Sequence, residues 1–396
     1  MTTHVYLKYA IALLMEEHGL QTEQDITFKE IKEELEKGLN AFSVKPIGDY
    51  CGQTKVSYGF TKEKNNAKEK IYILILSVAL LVSFILGLAF GSVNVGFKDI
   101  LAALTGKDTV SNTAVIIRMV RLPRVIAGLL AGSGLAVAGI ILQEVMNNSL
   151  ASPNTIGVNS GAGFFVMLSM ALFPHNLFLQ SVMSFVGALL TSLLILVLAY
   201  VSDSSRITIV LAGITVSSFL SAGMNMMKIL DTDLAINSVQ FMVGSLSGVT
   251  LKSITYPSIG IVIGVITATL AGRVLSILSL GDGIARSLGL RVNLARFVML
   301  IIASVLAGSV VSFAGLISFV GLIVPHICRR IFGYNEKVLI PVSAMFGGTL
   351  VMLCDLVGRV LFAPYELPAG ILLSLIGGPF FLYLLLVKKG GRRLSA

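Results

Sequence analysis

Charged residues are scarce in this chain, at 13% of its 396 residues, whereas hydrophobic residues make up 55%. The mean hydropathy of +0.88 is well above that of a soluble domain of this length. A large soluble protein with buried helices would need polar residues every three or four positions, and the long apolar segments lack them. The scarcity of charge argues against a soluble globular protein and predicts a polytopic membrane protein.

Reactive side chains and nucleotide-binding motifs are also scarce. Cys51, Cys328 and Cys354 have neither CxxC nor metal-ligand spacing, so neither a disulfide framework nor a zinc site is expected. The chain has no GxxxxGK(S/T) phosphate loop, no HExxH motif, no nucleophile elbow and no histidine–carboxylate cluster at ligand spacing. We therefore expect no enzyme active site, no metal and no cofactor in this chain.

Ionisable residues inside the apolar segments are few. Asp355 and Arg359 lie one helical turn apart and can neutralise each other, while Glu144, Asp203 and Arg273 fall at segment ends. A carrier driven by an ion gradient would need such residues near the middle of the membrane. A secondary transporter is therefore the weaker alternative, and energy is expected from another chain at the cytoplasmic face.

The basic residues have a topological explanation. The net charge of +9 arises mainly from residues between apolar runs and at the C-terminus, so nucleic acid is not an expected partner. A collar of four lysines and a basic tail predict that both termini are cytoplasmic: Lys62, Lys64, Lys68 and Lys70, then Lys388, Lys389, Arg392 and Arg393. Because the first long apolar run begins only at Ile71, no cleavable signal peptide is expected.

Residues 1–70 differ from the rest and contain eleven of the 21 acidic residues. We interpret them as a small soluble α/β appendage, with helices at Tyr6–His18 and Thr27–Lys37. Alternation through Ala41–Lys45 and Lys55–Phe60 predicts a hairpin. His4 and His18 are expected to be surface residues, and no catalytic group is predicted here.

Residues 71–396 form the predicted membrane domain, an all-α bundle of about ten spans, each judged by the ~20 apolar residues that cross a bilayer. The predicted spans are 71–91, 122–142, 156–173, 177–201, 207–227, 254–276, 294–312, 314–332, 338–361 and 367–387. The nearly continuous apolar run Leu294–Ile327 would be about 50 Å long as one helix, too long for one span and short for two. We therefore expect a short or broken helix at Gly308 or Gly315.

Arginines at the predicted outer end of the bundle depart from the positive-inside rule. They are Arg118, Arg121, Arg124 and Arg359. One interpretation is snorkelling or pairing with nearby Asp355 or Glu366. The other is an acidic partner that docks from outside, since the arginine fork binds carboxylates with two hydrogen bonds.

A short polar stretch with three glycines, Leu280–Leu290, interrupts the apolar sequence on the predicted cytoplasmic side. The pattern predicts one or two helical turns between glycine breaks. Ile284, Ala285 and Leu288 are expected on one face of that helix, which would lie flat against another surface rather than cross the membrane.

Five short motifs lie in order along the membrane domain. They are Arg121–Arg124 (RLPR); Asn148–Pro153 (NSLASP), followed by Gly157 and Gly161–Gly163; Leu280–Gly289; Gly315–His326 with Arg329; and Glu366–Gly370 (ELPAG). Together they resemble the permease subunits of ABC importers for iron-siderophores, haem and cobalamin. The resemblance covers Ile71 to Arg393, so the appendage is a departure from the family pattern.

This resemblance implies a homodimer or pseudo-symmetric heterodimer of ten-span subunits in a bacterial or archaeal cell membrane. It also implies separate ATP-binding cassette ATPase subunits and an external substrate-binding protein as partners. The substrate would be an iron-siderophore or a similar large chelate, with haem and cobalamin left open. A secondary transporter, or a scaffold or receptor without transport, remains the alternative class.

The resemblance also assigns roles to residues. It makes Arg121, Arg124 and Arg359 the side chains that meet glutamates of the binding protein. The coupling helix that contacts the ATPase would use Leu280, Gly281, Ile284, Ala285, Arg286, Leu288 and Gly289. The inner gate maps to Ser204, Ser205, Arg206 and Ile207. His326 falls in a structural motif, so a packed or hydrogen-bonded histidine is expected rather than a metal ligand.

Overall fold

The computed structural model describes residues 43–44, 60–61, 66–91, 95–106, 108, 111–154, 157–174, 176–201, 206–363 and 365–390. Near the N-terminus, strands β1 (Ser43–Val44) and β2 (Phe60–Thr61) pair antiparallel. They lie at the two arms of the predicted hairpin. The predicted helices at 6–18 and 27–37, and Cys51, lie outside the described residues, so the α/β appendage stays a prediction.

The remaining described elements are helical. Their bounds are α1 (Asn66–Ala89), α2 (Phe97–Thr105), α3 (Asn112–Val115), a π-helical stretch (Ile116–Arg121), α4 (Leu122–Val145), α5 (Val158–Leu172), α6 (Leu177–Val201), α7 (Arg206–Leu230), α8 (Thr232–Val243), α9 (Leu251–Leu270), α10 (Gly272–Ser279), α11 (Asp282–Ser287), α12 (Val292–Ala314), α13 (Val320–Phe332), α14 (Glu336–Val360) and α15 (Ala369–Gly390).

Six helices among the described residues are long and apolar enough to cross a membrane. They are Glu69–Ala89, Asn112–Val145, Phe178–Ile195, Leu251–Leu270, Val292–Ala314 and Glu336–Val360. Each of the ten predicted spans overlaps a helix, and six of them coincide with these candidates, so the count of ten stays a prediction. The sequence pattern missed α2, α3 and α8.

Helix α4 lies at the centre of the bundle and packs against α12, α13 and α14. Glycines allow these backbones to approach closely. A Cβ built on Gly132 would lie 2.0 Å from the carbonyl oxygen of Gly347 on α14, and one built on Gly139 would lie 2.1 Å from that of Gly321 on α13. Small residues at such contacts are the usual solution in membranes, where no hydrophobic force drives helices together.

The apolar run Leu294–Ile327, which is too long for one span, is broken at Gly315. This is one of the two positions predicted for the break. Helix α12 ends at Ala314, five non-helical residues follow, and α13 has only 13 residues. Gly315 has φ +68°, and a Cβ there would lie 2.3 Å from the carbonyl oxygen of Phe241. The amide of Leu316 donates to the same carbonyl at 2.9 Å, so α8 satisfies part of the open backbone.

Candidate functional site

The predicted coupling segment is a short helix between two glycine breaks. Helix α11 (Asp282–Ser287) follows Gly281, with φ +100°, and precedes Gly289, with φ +83°. Both values lie in the region that favours glycine, so the sequence dictates where the helix begins and ends. The predicted one to two turns between glycine breaks are confirmed.

The faces of α11 differ from the expected pattern. Ile284 and Leu288 are 42% and 49% exposed, whereas Ala285 is fully buried at 0%. Placing Ala285 on the same face as Ile284 and Leu288 was therefore wrong: successive helical residues point about 100° apart, and Ala285 turns into the bundle. Arg286 and Gly289 are exposed, while Leu280 and Gly281 are half-buried. A partner can reach Ile284 and Leu288 but not Ala285.

An ion pair ties α11 to the next helix. Nη2 of Arg296, in the second turn of α12, donates to Oδ1 and Oδ2 of Asp282 at 2.8 and 2.7 Å. The arginine side chain is 5% exposed and the aspartate side chain 36%. Sequence reasoning missed this pair, although the two opposite charges lie only 14 residues apart.

A second polar network joins helix ends on the predicted cytoplasmic side. Nη2 of Arg329 on α13 donates to Oε1 of Glu144 on α4 at 2.7 Å, and Nη1 of Arg329 donates to Gln143. Nε2 of Gln143 donates to the carbonyl oxygen of Gly321 at 3.0 Å. The network therefore fastens the end of α4 to both ends of the short helix α13.

A further side-chain contact between helices involves α10, the helix that precedes α11. Ser276 on α10 donates its hydroxyl hydrogen to Glu336, the first residue of α14. Glu336 is 3% exposed. The sequence carried a signal for the first of these contacts in Glu144, which lies at the end of an apolar segment, whereas Glu336 was not singled out.

The predicted docking arginines are buried and have partners within the chain. Arg121, Arg124 and Arg359 are 3%, 5% and 5% exposed. Nη1 of Arg121 donates to the carbonyl oxygens of Leu88 and Ala89, both at 2.7 Å. These contacts fasten the C-terminal end of α1 to the π-helical stretch.

Arg124 and Arg359 share one carboxylate. Arg124 donates through Nε and Nη2 to Asp355 at 2.9–3.0 Å and through Nη1 to Glu366 at 2.7 Å. Nε of Arg359 lies 3.2 Å from the same carboxylate, and its Nη2 donates to the carbonyl oxygen of Gly87 at 3.2 Å. The ion pairs of Arg124 and Arg359 agree with the alternative of internal pairing, while docking of a binding protein at Arg121, Arg124 and Arg359 stays a prediction.

The remaining predicted site residues are only partly described. Ser204 and Ser205 lie outside the described residues, while Arg206 and Ile207 form the first residues of α7. Their role as an inner gate stays a prediction. The ring of His326 packs edge-on against Phe380, with centroids 6.0 Å apart. In the part of the chain that the structure describes, no group of three His, Cys, Asp or Glu residues could hold a metal ion.

Comparison with known proteins assigns the bundle. The model of the FecCD transport family matches residues 79–387. The chain belongs to the FecCD transport family. A shorter match, to the model of CRISPR-associated protein Csp2, covers residues 4–82 and overlaps α1. It spans too little of the chain to assign a family.

FecCD membership agrees with individual relatives. The chain is 35% identical to the Fe(3+)-citrate import system permease protein YfmE of Bacillus subtilis, over 82% of this chain and 98% of YfmE. It is 34% identical to the iron(3+)-hydroxamate import system permease protein FhuG of the same organism, over 82% and 99%. The resemblance inferred from the five motifs is therefore confirmed, and the six apolar helices make this FecCD protein a multi-pass membrane protein.

The fold has a counterpart of known structure. An ABC transporter described as of the metal-chelate type, in an inward-facing conformation, matches with a TM-score of 0.71 at 26% identity. The match covers 80% of this chain and 99% of the transporter chain. Residues 1–65 precede α1 and lie outside the family match.

Proposed function

We propose that this chain is the membrane-spanning permease of an ATP-driven importer that carries a ferric chelate of the citrate or siderophore type into the cytoplasm. The observation that carries the proposal is α11, a short helix that is seated on the bundle through buried Ala285 and presents Ile284 and Leu288 outward. Two exposed apolar side chains one turn apart suit insertion into a groove of a partner protein. FecCD membership supports an ATP-binding cassette ATPase as that partner.

The proposed assembly contains two permease subunits, two ATPase subunits and an external substrate-binding protein. Each permease subunit crosses the membrane about ten times, with both termini in the cytoplasm. Helices that fall short of a full span, such as α13, fit this topology because their open backbone ends lie against protein. ATP closes the ATPase subunits, α11 moves with them, and the bundle changes the side to which its pathway opens.

The ionisable groups support an external energy source over an ion gradient. Two buried carboxylates near the ends of described spans, Asp355 and Glu144, are each salt-bridged to a buried arginine, at 2.9 and 2.7 Å. A carboxylate held in this way is a poor carrier of a transported proton or sodium ion, because releasing it leaves a buried charge without compensation.

Association with the ATPase tests the proposal. Ile284→Ser and Leu288→Ser are each expected to weaken co-purification of a co-expressed ATPase, and the double variant to abolish it. Leu251→Ser is the matched control, since Leu251 is 44% exposed but lies at the opposite end of α9 from α11. Wild-type association by the double variant would overturn the assignment of α11 as the ATPase contact.

A further inference from the structure

Helix α11 is attached to the bundle by two glycine joints. Gly281 and Gly289 have φ values of +100° and +83°, and no heavy atom lies within 4 Å of a Cβ built at either position. Glycine in open space has a wide choice of backbone conformations. Covalent connection alone would therefore let α11 pivot when a partner pulls on it.

Contacts of Ala285 and of Asp282 oppose this pivoting. The methyl group of Ala285 is buried, and the amide of Leu290 donates to the carbonyl oxygen of Ala285 at 3.0 Å. The second contact is the ion pair from Arg296 to Asp282, which crosses the Gly289 joint and connects the first residue of α11 to the second turn of α12.

Helix α12 connects α11 to the break at Gly315 and can transmit a movement of α11 to it. Its 23 residues form a rod of about 35 Å. One end carries Arg296, and the other ends at Ala314, beside the non-helical segment that begins at Gly315. A displacement of α11 that reaches α12 is thereby delivered to the break in the helix.

We propose that the Asp282–Arg296 ion pair makes α11 and α12 move as one body, so that these two side chains are positioning residues for transport. The proposal rests on the function proposed above and deepens it. Arg296 is suited to the role because its guanidinium is almost fully buried, where a charge is bound more strongly to its partner than in water. Ile284 and Leu288 bind the ATPase, and the ion pair passes the motion to the membrane.

The test separates association from coupling. Permease variants are reconstituted in proteoliposomes with the ATPase and the binding protein, and the ferric chelate taken up per ATP hydrolysed is measured beside co-purification of the ATPase. The variants are Arg296→Gln, Asp282→Asn, Arg296→Lys and the exchanged pair Asp282→Arg with Arg296→Asp. Arg291→Gln is the matched control, because Arg291 is exposed and lies five residues before Arg296.

Arg296→Gln and Asp282→Asn are expected to keep ATPase association within about twofold while uptake per ATP falls about fivefold or more, the scale of a typical coupling free energy. Arg296→Lys is expected to retain coupling, because a single nitrogen of Arg296 makes both contacts. The exchanged pair is expected to recover part of the coupling, and Arg291→Gln to behave as the wild type.

Unchanged uptake per ATP in Arg296→Gln would overturn the proposal. So would a loss of ATPase association as large as the loss of uptake, because the ion pair would then act only by shaping the surface that contacts the ATPase. Loss of coupling in both the exchanged pair and Arg296→Lys, measured on folded and monodisperse protein, would also contradict the proposal. A wild-type complex with no ATP-dependent uptake would instead refute the proposed function, so the two failures are distinguishable.

Discussion

Arg124 and Asp355 lie 231 positions apart in the sequence and form a buried salt bridge with an Nε–Oδ2 distance of 2.9 Å. The pair joins α4 to α14, and Arg359 approaches the same carboxylate at 3.2 Å. Since Arg359 also donates to the carbonyl oxygen of Gly87, the cluster reaches α1. The predicted outer end of the bundle is thus held by one carboxylate between two arginines.

Removing that carboxylate is expected to destabilise the bundle. Asp355→Asn leaves two buried guanidinium groups without their shared partner, and breaking a buried pair in this way costs about 3–5 kcal/mol. Glu366→Gln is the matched control, because its side chain is 42% exposed and such a pair contributes about 1 kcal/mol or less. Thermal unfolding of the purified variants in detergent measures the loss of stability in each. Equal melting temperatures for the two variants would contradict the account of this cluster.

Replacing both motif arginines distinguishes internal pairing from docking. Arg121→Glu combined with Arg124→Glu sets acidic groups beside the carbonyl oxygens of Leu88 and Ala89 and beside Asp355. Like charges in a buried site repel strongly, so the expected result is a low yield of folded permease. Gel filtration of membrane extracts measures this yield. A well-folded variant that has lost only binding-protein association would support the docking role.

Close backbone packing makes two glycines of α4 intolerant of a side chain. Gly132→Ala and Gly139→Ala place a Cβ about 2 Å from a carbonyl oxygen of a neighbouring helix, so the helices must separate. We expect each to cost about 1–3 kcal/mol or more. Gly378→Ala in α15 is the control, since no heavy atom lies within 4 Å of a Cβ there. Melting temperatures that fall equally in all three variants would contradict the packing of α4.

Features that depend on local sequence were predictable. The break at Gly315 followed from the length of an apolar run compared with the thickness of a bilayer, and α11 from a polar stretch between glycines. The direction of the Ala285 side chain was not predictable, because a helix of six residues is too short to reveal which face is buried. Its burial depends on α12 and the neighbouring helices.

Contacts between distant residues were beyond the sequence pattern. Arg124 was identified as an unusual charge and Arg329 as part of a motif, but their partners Asp355 and Glu144 lie 231 and 185 positions away. The sequence shows that residues of opposite charge are present. Which of them pair depends on the packing of α4 against α13 and α14. The same limit left pairing and docking as open alternatives for arginines that have contacts within the chain.

Uptake by reconstituted vesicles tests the central claim most directly. Proteoliposomes containing the permease and its ATPase, with ATP enclosed and binding protein outside, are supplied with ferric citrate, a ferric hydroxamate, haem or cobalamin. We predict uptake of a ferric chelate that requires ATP hydrolysis and binding protein and continues when ionophores collapse proton and sodium gradients. Uptake that proceeds without ATP and stops with the ion gradient would contradict the account.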